Sequence, residues 1–385
     1  MKLCRGISKK GLVATMIEYV QEHVIYENPI PHVRSRHGYF PGVVQLSSGE
    51  LLAMFPIGEA FESADMSTHV SRSSDRGQTW QLQGPLYDKS VDTVPTCDFL
   101  KPQILRDGTL IALGYCFYRH DPELPIAIPE TDGILPGDEI VSFSSDDGRH
   151  WTVPQVFPRS TPELLEIPNR SLQLRSGDIV ATAGLFKTPE GTNPSGQFGV
   201  LLRSTDQGKT WDDRVHFFET PTKTIAAYES HICEMQDGRL VTICWAYDAA
   251  AQKDIPNQVT VSHDNGHSWS DPIDTGHMAQ SSSLLWLGGE RLMSIQCHRG
   301  DEVGLFVRVI DFTNDQWKVV EEKNIWGASA RQQTQAGQKF YELAKAIRFG
   351  QPSLLQLDQG EFLAIHWAVM NGQGKILSHR LRLSD

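Results

Sequence analysis

The sequence lacks several features that would indicate particular classes of protein. Its 385 residues contain no apolar run near 18 residues, which a membrane-spanning helix would need. Acidic residues outnumber basic ones by 47 to 35, and the resulting net charge of −12 argues against nucleic acid or an anionic membrane as a partner. Neither a Cys-x-x-Cys pair nor a His-Glu-x-x-His motif is present, so no local spacing predicts a metal site and we expect no cofactor.

The N-terminus does not have the pattern of a secretory signal. Residues 1–21 carry basic side chains but no continuous apolar core. The six cysteines are widely spaced, which is typical of buried free thiols in a reducing compartment. We therefore expect a cytoplasmic protein of unknown oligomeric state. A secreted enzyme without its leader would give the same pattern.

Four copies of one eight-residue pattern, Ser-x-Asp-x-Gly-x-x-Trp, are present. They occupy residues 73–80, 144–151, 204–211 and 262–269, and their aspartates lie 71, 60 and 58 residues apart. In such a turn the Asp can accept bonds from backbone N–H groups, the Gly permits a positive φ, and the Trp packs back on a sheet. A period of this size predicts repeated supersecondary units that pack on one another.

A second repeat lies between these motifs: an apolar strand, a turn that contains Gly, and another apolar strand. Alternating apolar residues and turns such as Asp107-Gly108 predict β-hairpins. A degenerate fifth copy of the first motif, residues 311–317, keeps the Trp and has lost the Gly. The six hairpins are residues 40–52, 101–112, 169–181, 229–242, 280–293 and 351–364.

The eight-residue pattern is the Asp-box, also called the BNR repeat, and the chain resembles the sialidase superfamily of six-bladed β-propellers. The resemblance implies an all-β, sialidase-like propeller over residues 30–385 and an N-terminal extension over residues 1–29. We expect the N-terminal segment to pair with the last blade, because closure of the ring removes exposed sheet edges. Strands over residues 362–365 and 375–383 should belong to that blade.

A short helix is expected over residues 13–22, leading a strand that closes the ring, and little other helix is expected outside residues 332–347. In that second range Phe340, Leu343 and Ile347 have a helical spacing, which predicts a helical insertion before blade six. Two long connections, residues 118–137 and 187–197, are rich in Pro and Gly. Connections of that length either wall the mouth of a pocket or lie on the surface.

The innermost strand of each propeller blade begins near the central axis, so six strand starts converge on one pocket. The superfamily places its working residues in this column. Counting nine residues back from each hairpin Gly gives Phe40, Phe99, Pro168, Glu229, Gln280 and Gln351.

Sialidases hold the carboxylate of their substrate with three arginines and attack the sugar with a Tyr that a Glu activates. In this chain Tyr39 stands at the first Arg position and Trp245 at the second, whereas Arg299 matches the third. Gln351 aligns with the nucleophilic Tyr, and Glu229 aligns with the Glu that activates it. The chain therefore differs from sialidases at the positions that handle the substrate carboxylate.

The acid/base Asp of the family falls in the loop after the first hairpin, which contains Glu59, Glu62 and Asp65, and Asp65 is the closest match. Two carboxylates thus remain, and a substrate without the sialic acid carboxylate would need no more. The superfamily's exo-arabinanases work in this manner. We expect an exo-acting glycoside hydrolase on a small oligosaccharide or glycoside, with Asp65 as general acid and Glu229 as base or nucleophile.

Each candidate also has a structural interpretation. A buried Glu is costly unless it is used or paired, a loop Asp can bond the backbone, and Arg299 can pair with neighbouring acids. His231, His298 and His366 lie on or beside apolar strands, where a lone His is more often part of the wall than a base. We predict substrate contacts from Tyr39, Asp98, Lys101, Asn169, Arg170, His231, Gln280, Arg299 and Gln351.

Three other functions stay open at this point. One is a sialidase with substituted carboxylate-binding residues, and another is a lyase that uses Tyr39 beside His side chains. The third is a non-catalytic carbohydrate-binding propeller, because a fold does not fix a function. Product analysis separates them: hydrolysis adds water, elimination leaves an unsaturated product, and a binder leaves the sugar intact.

Overall fold

The computed structural model describes residues 15–328 and 332–384. Its antiparallel sheets form the six blades of a β-propeller, which confirms the predicted fold. The first strand, β1 (Met16–Tyr26), pairs antiparallel with the last strand of the chain, so the expected closure of the ring is present. The helix predicted over residues 13–22 was wrong for the described residues, since Ile17, Tyr19 and Val20 lie in this strand. Residues 13 and 14 lie outside the described residues.

Blades one to three follow in chain order, and their strands are joined mostly by short turns. Blade one contains β2 (His37–Gly38), β3 (Gly42–Gln45), β4 (Leu51–Gly58), β5 (Ser67–Ser73) and β6 (Gln81–Pro85). Blade two contains β7 (Thr96–Ile104), β8 (Leu110–Tyr118), β11 (Gly137–Ser144) and β12 (Gln155–Phe157). A separate small hairpin of β9 (Ala127–Ile128) and β10 (Gly133–Ile134) lies in the connection between β8 and β11. Blade three contains β13 (Leu165–Glu166), β14 (Leu172–Gln173), β15 (Ile179–Leu185), β16 (Phe198–Ser204) and β17 (Asp212–Glu219).

Blades four to six complete the ring. Blade four contains β18 (Ile225–Glu234), β19 (Leu240–Asp248), β20 (Lys253–Ser262) and β21 (Ile273–Asp274). Blade five contains β22 (Ser282–Gly288), β23 (Arg291–Arg299), β24 (Val303–Asp311) and β25 (Lys318–Trp326). Blade six contains β26 (Phe349–Asp358), β27 (Glu361–Met370), β28 (Gln373–Ser384) and β1. Strand β26 contacts β3 of blade one, which closes the inner ring.

Helix is scarce among the described residues. One α-helix, α1 (Phe340–Ala346), lies before blade six, within the range where the sequence predicted helix. Two single 3-10 turns cover Lys89–Val91 and Thr313–Asp315. Within the described ranges, no helix is long and apolar enough to cross a membrane.

The four Ser-x-Asp-x-Gly-x-x-Trp motifs form equivalent turns between the last two strands of blades one to four. In the first, the Asp75 carboxylate accepts bonds from the Gln78 and Thr79 amides and from the Ser73 and Thr79 hydroxyls. Gly77 has a φ of 88°, where a side chain would be strained. Its carbonyl accepts a bond from the Trp80 indole at 3.1 Å. These turns therefore lie on the rim of the ring and stabilise it locally.

Candidate functional site

A cavity of about 100 Å³ lies where the innermost strands begin. Its polar lining consists of three carboxyl groups, one guanidinium and one amide, from Glu62, Glu166, Glu229, Arg299 and Gln351. The remaining wall is aromatic or aliphatic. It is formed by Phe40, Phe61, Phe99, Tyr115, Phe117, Ile126, Ile134, Phe186, Tyr228 and Trp245, and by Phe340, Leu343, Ala344 and Ile347 of the α1 region.

Strained backbone marks three of the positions in the predicted column. Phe40, Glu229 and Gln351 have φ values of 46°, 41° and 41°, in a region that residues other than glycine rarely adopt. The ladders of β18 and β26 shift register at Glu229 and at Gln351. Such bulges redirect a side chain out of the regular alternation, and strain of this kind clusters at functional sites. Here all three side chains line the cavity.

Glu229 is held by neighbours from two other blades. Its Oε1 accepts a bond from the Gln351 side-chain amide at 3.2 Å, and its Oε2 lies 3.8 Å from the Arg299 guanidinium. Burial raises the pKa of Glu229, whereas Arg299 and then Gln351 act in the opposite direction. These two contacts hold the carboxyl group of Glu229 at the cavity wall.

Glu166 is a second buried carboxyl group, and the sequence analysis missed it. Its Oε2 accepts the backbone N–H of Glu229 at 3.0 Å. Burial, together with the nearby Glu229, raises the pKa of Glu166. A Cβ at Gly184 would meet Oε2 of Glu166 at 3.2 Å and the Ala227 carbonyl at 2.8 Å, so a glycine there leaves room for this contact. The available signal was a Glu inside the apolar run of residues 164–168.

Glu62 comes from the loop between β4 and β5. Its Oε2 accepts the Ala127 amide at 3.4 Å, next to the β9–β10 hairpin. Burial raises the pKa of Glu62 to about 7, although the Ala127 bond and the Arg119 guanidinium oppose the shift. Ile126 and Ile134 of the connection over residues 118–137 also line the cavity, so this connection does wall the pocket. No described residue of 187–197 lies on that wall.

Four of the predicted residues come together. Glu229, Arg299 and Gln351 line the cavity. Gln280 joins them from the side, because its Oε1 accepts a bond from Arg299 at 2.7 Å. The count back from the hairpin glycines therefore locates the cavity.

The predicted general acid, Asp65, lies elsewhere. Asp65 is exposed, and its Oδ1 accepts the Glu59 amide at 3.0 Å, which closes the loop on itself. Asp65 therefore bonds the backbone of its own loop, and the side chain of that loop that lines the cavity is Glu62. Tyr39 is buried behind the wall, edge-on to Phe61 and Trp367 at ring distances of 5.1 and 5.3 Å.

Asp98 and Lys101 do not pair with each other across the wall. Asp98 pairs with Lys89 at 2.5 Å and accepts the Thr68 amide at 2.8 Å. The Lys101 ammonium donates to the Phe40 carbonyl behind the cavity. Burial lowers the pKa of Lys101 to about 7, and Glu229 partly offsets the shift. Lys101 therefore supports the strained Phe40 backbone and adds a titratable group near Glu229.

Asn169, Arg170 and His231 lie away from the cavity wall. The Asn169 amide donates to the Ser230 carbonyl at 2.9 Å and so ties blade three to blade four. His231 accepts the Leu284 amide at 3.1 Å, which ties blade four to blade five. Burial first and then Arg170 lower the pKa of His231 to about 3, so it is neutral at physiological pH.

The other two histidines, His298 and His366, do not line the cavity either. His298 accepts a bond from Arg308 at 3.2 Å, and burial followed by Arg308 lowers its pKa to about 3. His366 lies inside blade six, where its Nε2 is 2.8 Å from Nε2 of His379. The described residues contain no cluster of His, Cys, Asp or Glu that could hold a metal ion.

A larger cleft of about 580 Å³ adjoins the cavity. Trp245 and Leu343 line both spaces. The cleft is more polar than the cavity, with side chains such as Asp254, Gln280 and Asp301 on its wall. The two spaces together have the dimensions of a typical ligand site, which spans about 300–1,000 Å³.

Comparison with known proteins identifies a sequence relative. A curated sialidase of Bacteroides fragilis is 24% identical over 276 residues, which are 64% of this chain and 48% of the sialidase. The chain thus spans about half the length of the curated relative it matches. No family model matches the chain.

Solved structures resemble the chain over nearly its whole length. A protein of unknown function from Dyadobacter fermentans superimposes with a TM-score of 0.73 at 19% identity, covering 96% of this chain and 99% of that one. The α-L-arabinanase of Penicillium chrysogenum complexed with arabinobiose gives 0.63 at 16%, covering 94% and 98%. The sialidase of Trypanosoma rangeli in complex with the inhibitor DANA gives 0.59 at 16%, covering 90% and 55%.

The protein is therefore a six-bladed β-propeller. Within that class its fold is the sialidase-like one, as the repeated motifs predicted.

Proposed function

We propose that this protein is a glycoside hydrolase that removes a terminal residue from a small oligosaccharide or glycoside other than a sialoside. One observation carries the proposal: three carboxyl groups from different blades or their loops meet at a single axial cavity with aromatic walls. Paired carboxyl groups are the chemical requirement of most glycoside hydrolases. Aromatic walls stack on the apolar faces of sugar rings and exclude water. The sialidase and arabinanase likenesses agree with this reaction class.

Glu229 acts as the base or nucleophile in this proposal. Arg299 and Gln351 favour its ionised form, which either role requires. Glu62 takes the role of general acid that the sequence analysis gave to Asp65. Its pKa of about 7 leaves a proton available to the leaving oxygen near neutral pH.

The contacts of Arg299 argue against a sialoside. Its Nε donates to the Phe349 carbonyl at 2.8 Å, and one terminal nitrogen donates to Gln280 at 2.7 Å. Nε and one terminal nitrogen of Arg299 are thus already bonded within the protein, so this single guanidinium offers a substrate carboxylate far less than the three arginines of a sialidase would. A second carboxylate brought next to Glu229 in this buried space would also be repelled.

The dimensions of the two spaces suit an exo-acting enzyme. A cavity of about 100 Å³ is smaller than a typical ligand pocket, whereas the adjoining cleft of about 580 Å³ is open and polar. We expect the terminal sugar to enter the cavity by displacing side chains of α1, with the leaving group in the cleft. Leu343 lines both spaces, so its displacement would join them.

The test is a panel of aryl glycosides, arabino-oligosaccharides, sialosides and uronides, with the products resolved by mass spectrometry. The proposal predicts that a neutral glycoside is cleaved with the addition of water and that sialosides are cleaved weakly or not at all. Efficient release of sialic acid would contradict the substrate class. An unsaturated product would indicate a lyase, and binding without turnover would leave a carbohydrate-binding propeller.

A further inference from the structure

A chain of hydrogen bonds that ends in an ion pair joins the cleft to Glu229. It begins at Asp254 in β20, whose Oδ1 accepts the Trp245 indole N–H at 2.8 Å and whose Oδ2 accepts the Gln280 side-chain amide at 2.9 Å. Gln280 in turn accepts Arg299 at 2.7 Å, and Arg299 lies 3.8 Å from Glu229. The five residues come from blades four and five. The sequence analysis did not identify Asp254.

The orientation of the Gln280 amide follows from its neighbours. An ionised carboxylate only accepts hydrogen bonds and a guanidinium only donates them, so an amide between the two must turn its NH₂ to Asp254 and its oxygen to Arg299. Gln280 is buried, and its backbone N–H is fixed on the Cys297 carbonyl at 2.8 Å. The amide oxygen thereby holds one terminal nitrogen of the guanidinium in place.

Arg299 is the strongest of the charges that favour the ionised form of Glu229. Lys101 also favours it, whereas the buried Glu166 carboxyl group opposes it. The Arg299 side chain is 2% exposed and that of Glu229 is 9% exposed, so their interaction is little screened by solvent. Gln351 supplies only a neutral amide contact to the same carboxylate. A small displacement of the guanidinium therefore changes how readily Glu229 ionises.

We propose that Asp254 is a positioning residue for the reaction. It orients Gln280, and through Gln280 it holds Arg299 where the guanidinium favours the ionised form of Glu229. This inference rests on the proposed role of Glu229 but predicts a property that can be measured without a substrate. At metal sites, residues that orient a ligand typically change metal affinity or activity about 10–100-fold when they are replaced, and we expect an effect at the lower end of that range here.

The sharpest test removes the carboxylate and the amide, singly and together. Asp254→Asn removes the group that fixes the Gln280 amide, and Gln280→Met removes the amide itself without adding a charge. The double variant Asp254→Asn/Gln280→Met completes a cycle that separates the effect through Gln280 from the direct field of the Asp254 charge. Asp301→Asn is the matched control, because Asp301 is an exposed carboxylate on the wall of the same cleft.

The readout is the pKa of Glu229, followed by carbon-13 NMR of protein labelled at the Glu side-chain carboxyl carbons. The Glu229 signal is assigned from its absence in Glu229→Gln, and thermal melting confirms that each variant is folded. We expect Asp254→Asn to raise the Glu229 pKa when Gln280 is present but not in the Gln280→Met background, and Asp301→Asn to leave it unchanged. An unchanged pKa in a folded Asp254→Asn would overturn the inference, as would an equal rise in both backgrounds.

Turnover then separates this inference from the proposed function. With a glycoside that the wild type hydrolyses, Asp254→Asn should lower kcat about 10-fold with little change in KM, and its acid limb should move to higher pH. If no glycoside is hydrolysed but the NMR pattern holds, the proposed function fails and the positioning of Glu229 stands. If a glycoside is hydrolysed but the Glu229 pKa does not move in Asp254→Asn, the proposed function stands and the positioning role of Asp254 fails.

Discussion

Carboxyl groups on the rim of the propeller and at its axis are held in opposite ways. On the rim, Asp75 is surrounded by donors, of which the Thr79 hydroxyl and amide have the largest effect, and they lower its pKa to about 2. Asp206 and Asp264 in later copies of the motif have lowered pKa values as well. At the axis, burial dominates and raises the pKa of Glu62 to about 7.

The difference lies in which groups solvate each carboxylate. The rim turns supply bonded donors to an exposed charge, and the ionised form is then stabilised. The axial cavity removes water and supplies few donors, so burial raises the pKa values of Glu62, Glu166 and Glu229, even where Arg299 opposes the shift. A rim carboxylate therefore contributes stability, whereas an ionised axial carboxylate costs stability.

The rim turns also join neighbouring blades. The Arg380 guanidinium of blade six donates to the Arg76 carbonyl in the first turn, and Arg72 of blade one donates to the Asp147 carbonyl in the second. A Cβ on Gly148 would meet Leu52 of blade one at 2.5 Å, so the second turn packs directly on the preceding blade. The repeated motif thus links each of these turns to the blade before it.

The largest effect should come from removing the charge at the axis. Glu229→Gln keeps the shape of the side chain but cannot act as base or nucleophile, so kcat should fall about 10³–10⁴-fold. Substrate affinity should change little. Because burial disfavours the ionised form of Glu229, the variant should melt at or above the wild-type temperature at pH 7.

The matched control for this variant is Asp75→Asn on the rim, which should retain full kcat and lose stability. Activity assays and thermal melting on both variants check the contrast. Near wild-type turnover in Glu229→Gln would make Glu229 structural and would favour a binding role for the cavity.

A second, smaller effect concerns the general acid. Glu62 must be protonated to act, so activity should fall as pH rises through about 7. Glu62→Gln should remove this alkaline limb and lower kcat about 10²-fold for substrates with poor leaving groups. Activated aryl glycosides, whose leaving group needs no proton, should be affected much less.

Measured pH–rate profiles with the two kinds of leaving group check this prediction. Asp65→Asn, in the same loop but facing away from the cavity, is the control. If Asp65→Asn removes the alkaline limb and Glu62→Gln does not, the assignment made from the sequence is the correct one.

The sequence predicted the blades better than the site, for a physical reason. The rim motif is local, since Ser73, Asp75 and Gly77 satisfy one another within one turn, and its spacing repeats. The start of each inner strand is also fixed by its hairpin, which is how Glu229 and Gln351 were found. Glu166 contacts Glu229, which is 63 residues away, and Asp254 contacts Gln280, which is 26 residues away. No local sequence pattern predicts contacts between residues so far apart.

The orientations of Asp65 and Glu62 could not be predicted from the sequence for a similar reason. Both stand in one loop of blade one, and alignment by chemical type favours the Asp. The loop closes through the bond from the Glu59 amide to Asp65, which turns that side chain outward. Which carboxyl group faces the axis is decided by the Ala127 contact from a different blade.

The smallest expected effect is on the rim. Asp75→Ala removes the acceptor for two amides and two hydroxyls in a turn that resembles a helix cap in its chemistry. We expect a loss of about 1–2 kcal/mol in the free energy of unfolding, with kcat unchanged. The folded pKa of Asp75 lies below the ordinary value of 3.8, at about 2, so its contribution is complete above about pH 4 and is lost as pH falls toward 2. The difference in melting temperature between wild type and variant should narrow over that range, and Ser74→Ala, at an exposed neighbour, should show neither effect. A variant that melts like wild type at pH 7 would show that the rim carboxylates do not stabilise the ring, and the contrast between rim and axis would then rest on the axial residues alone.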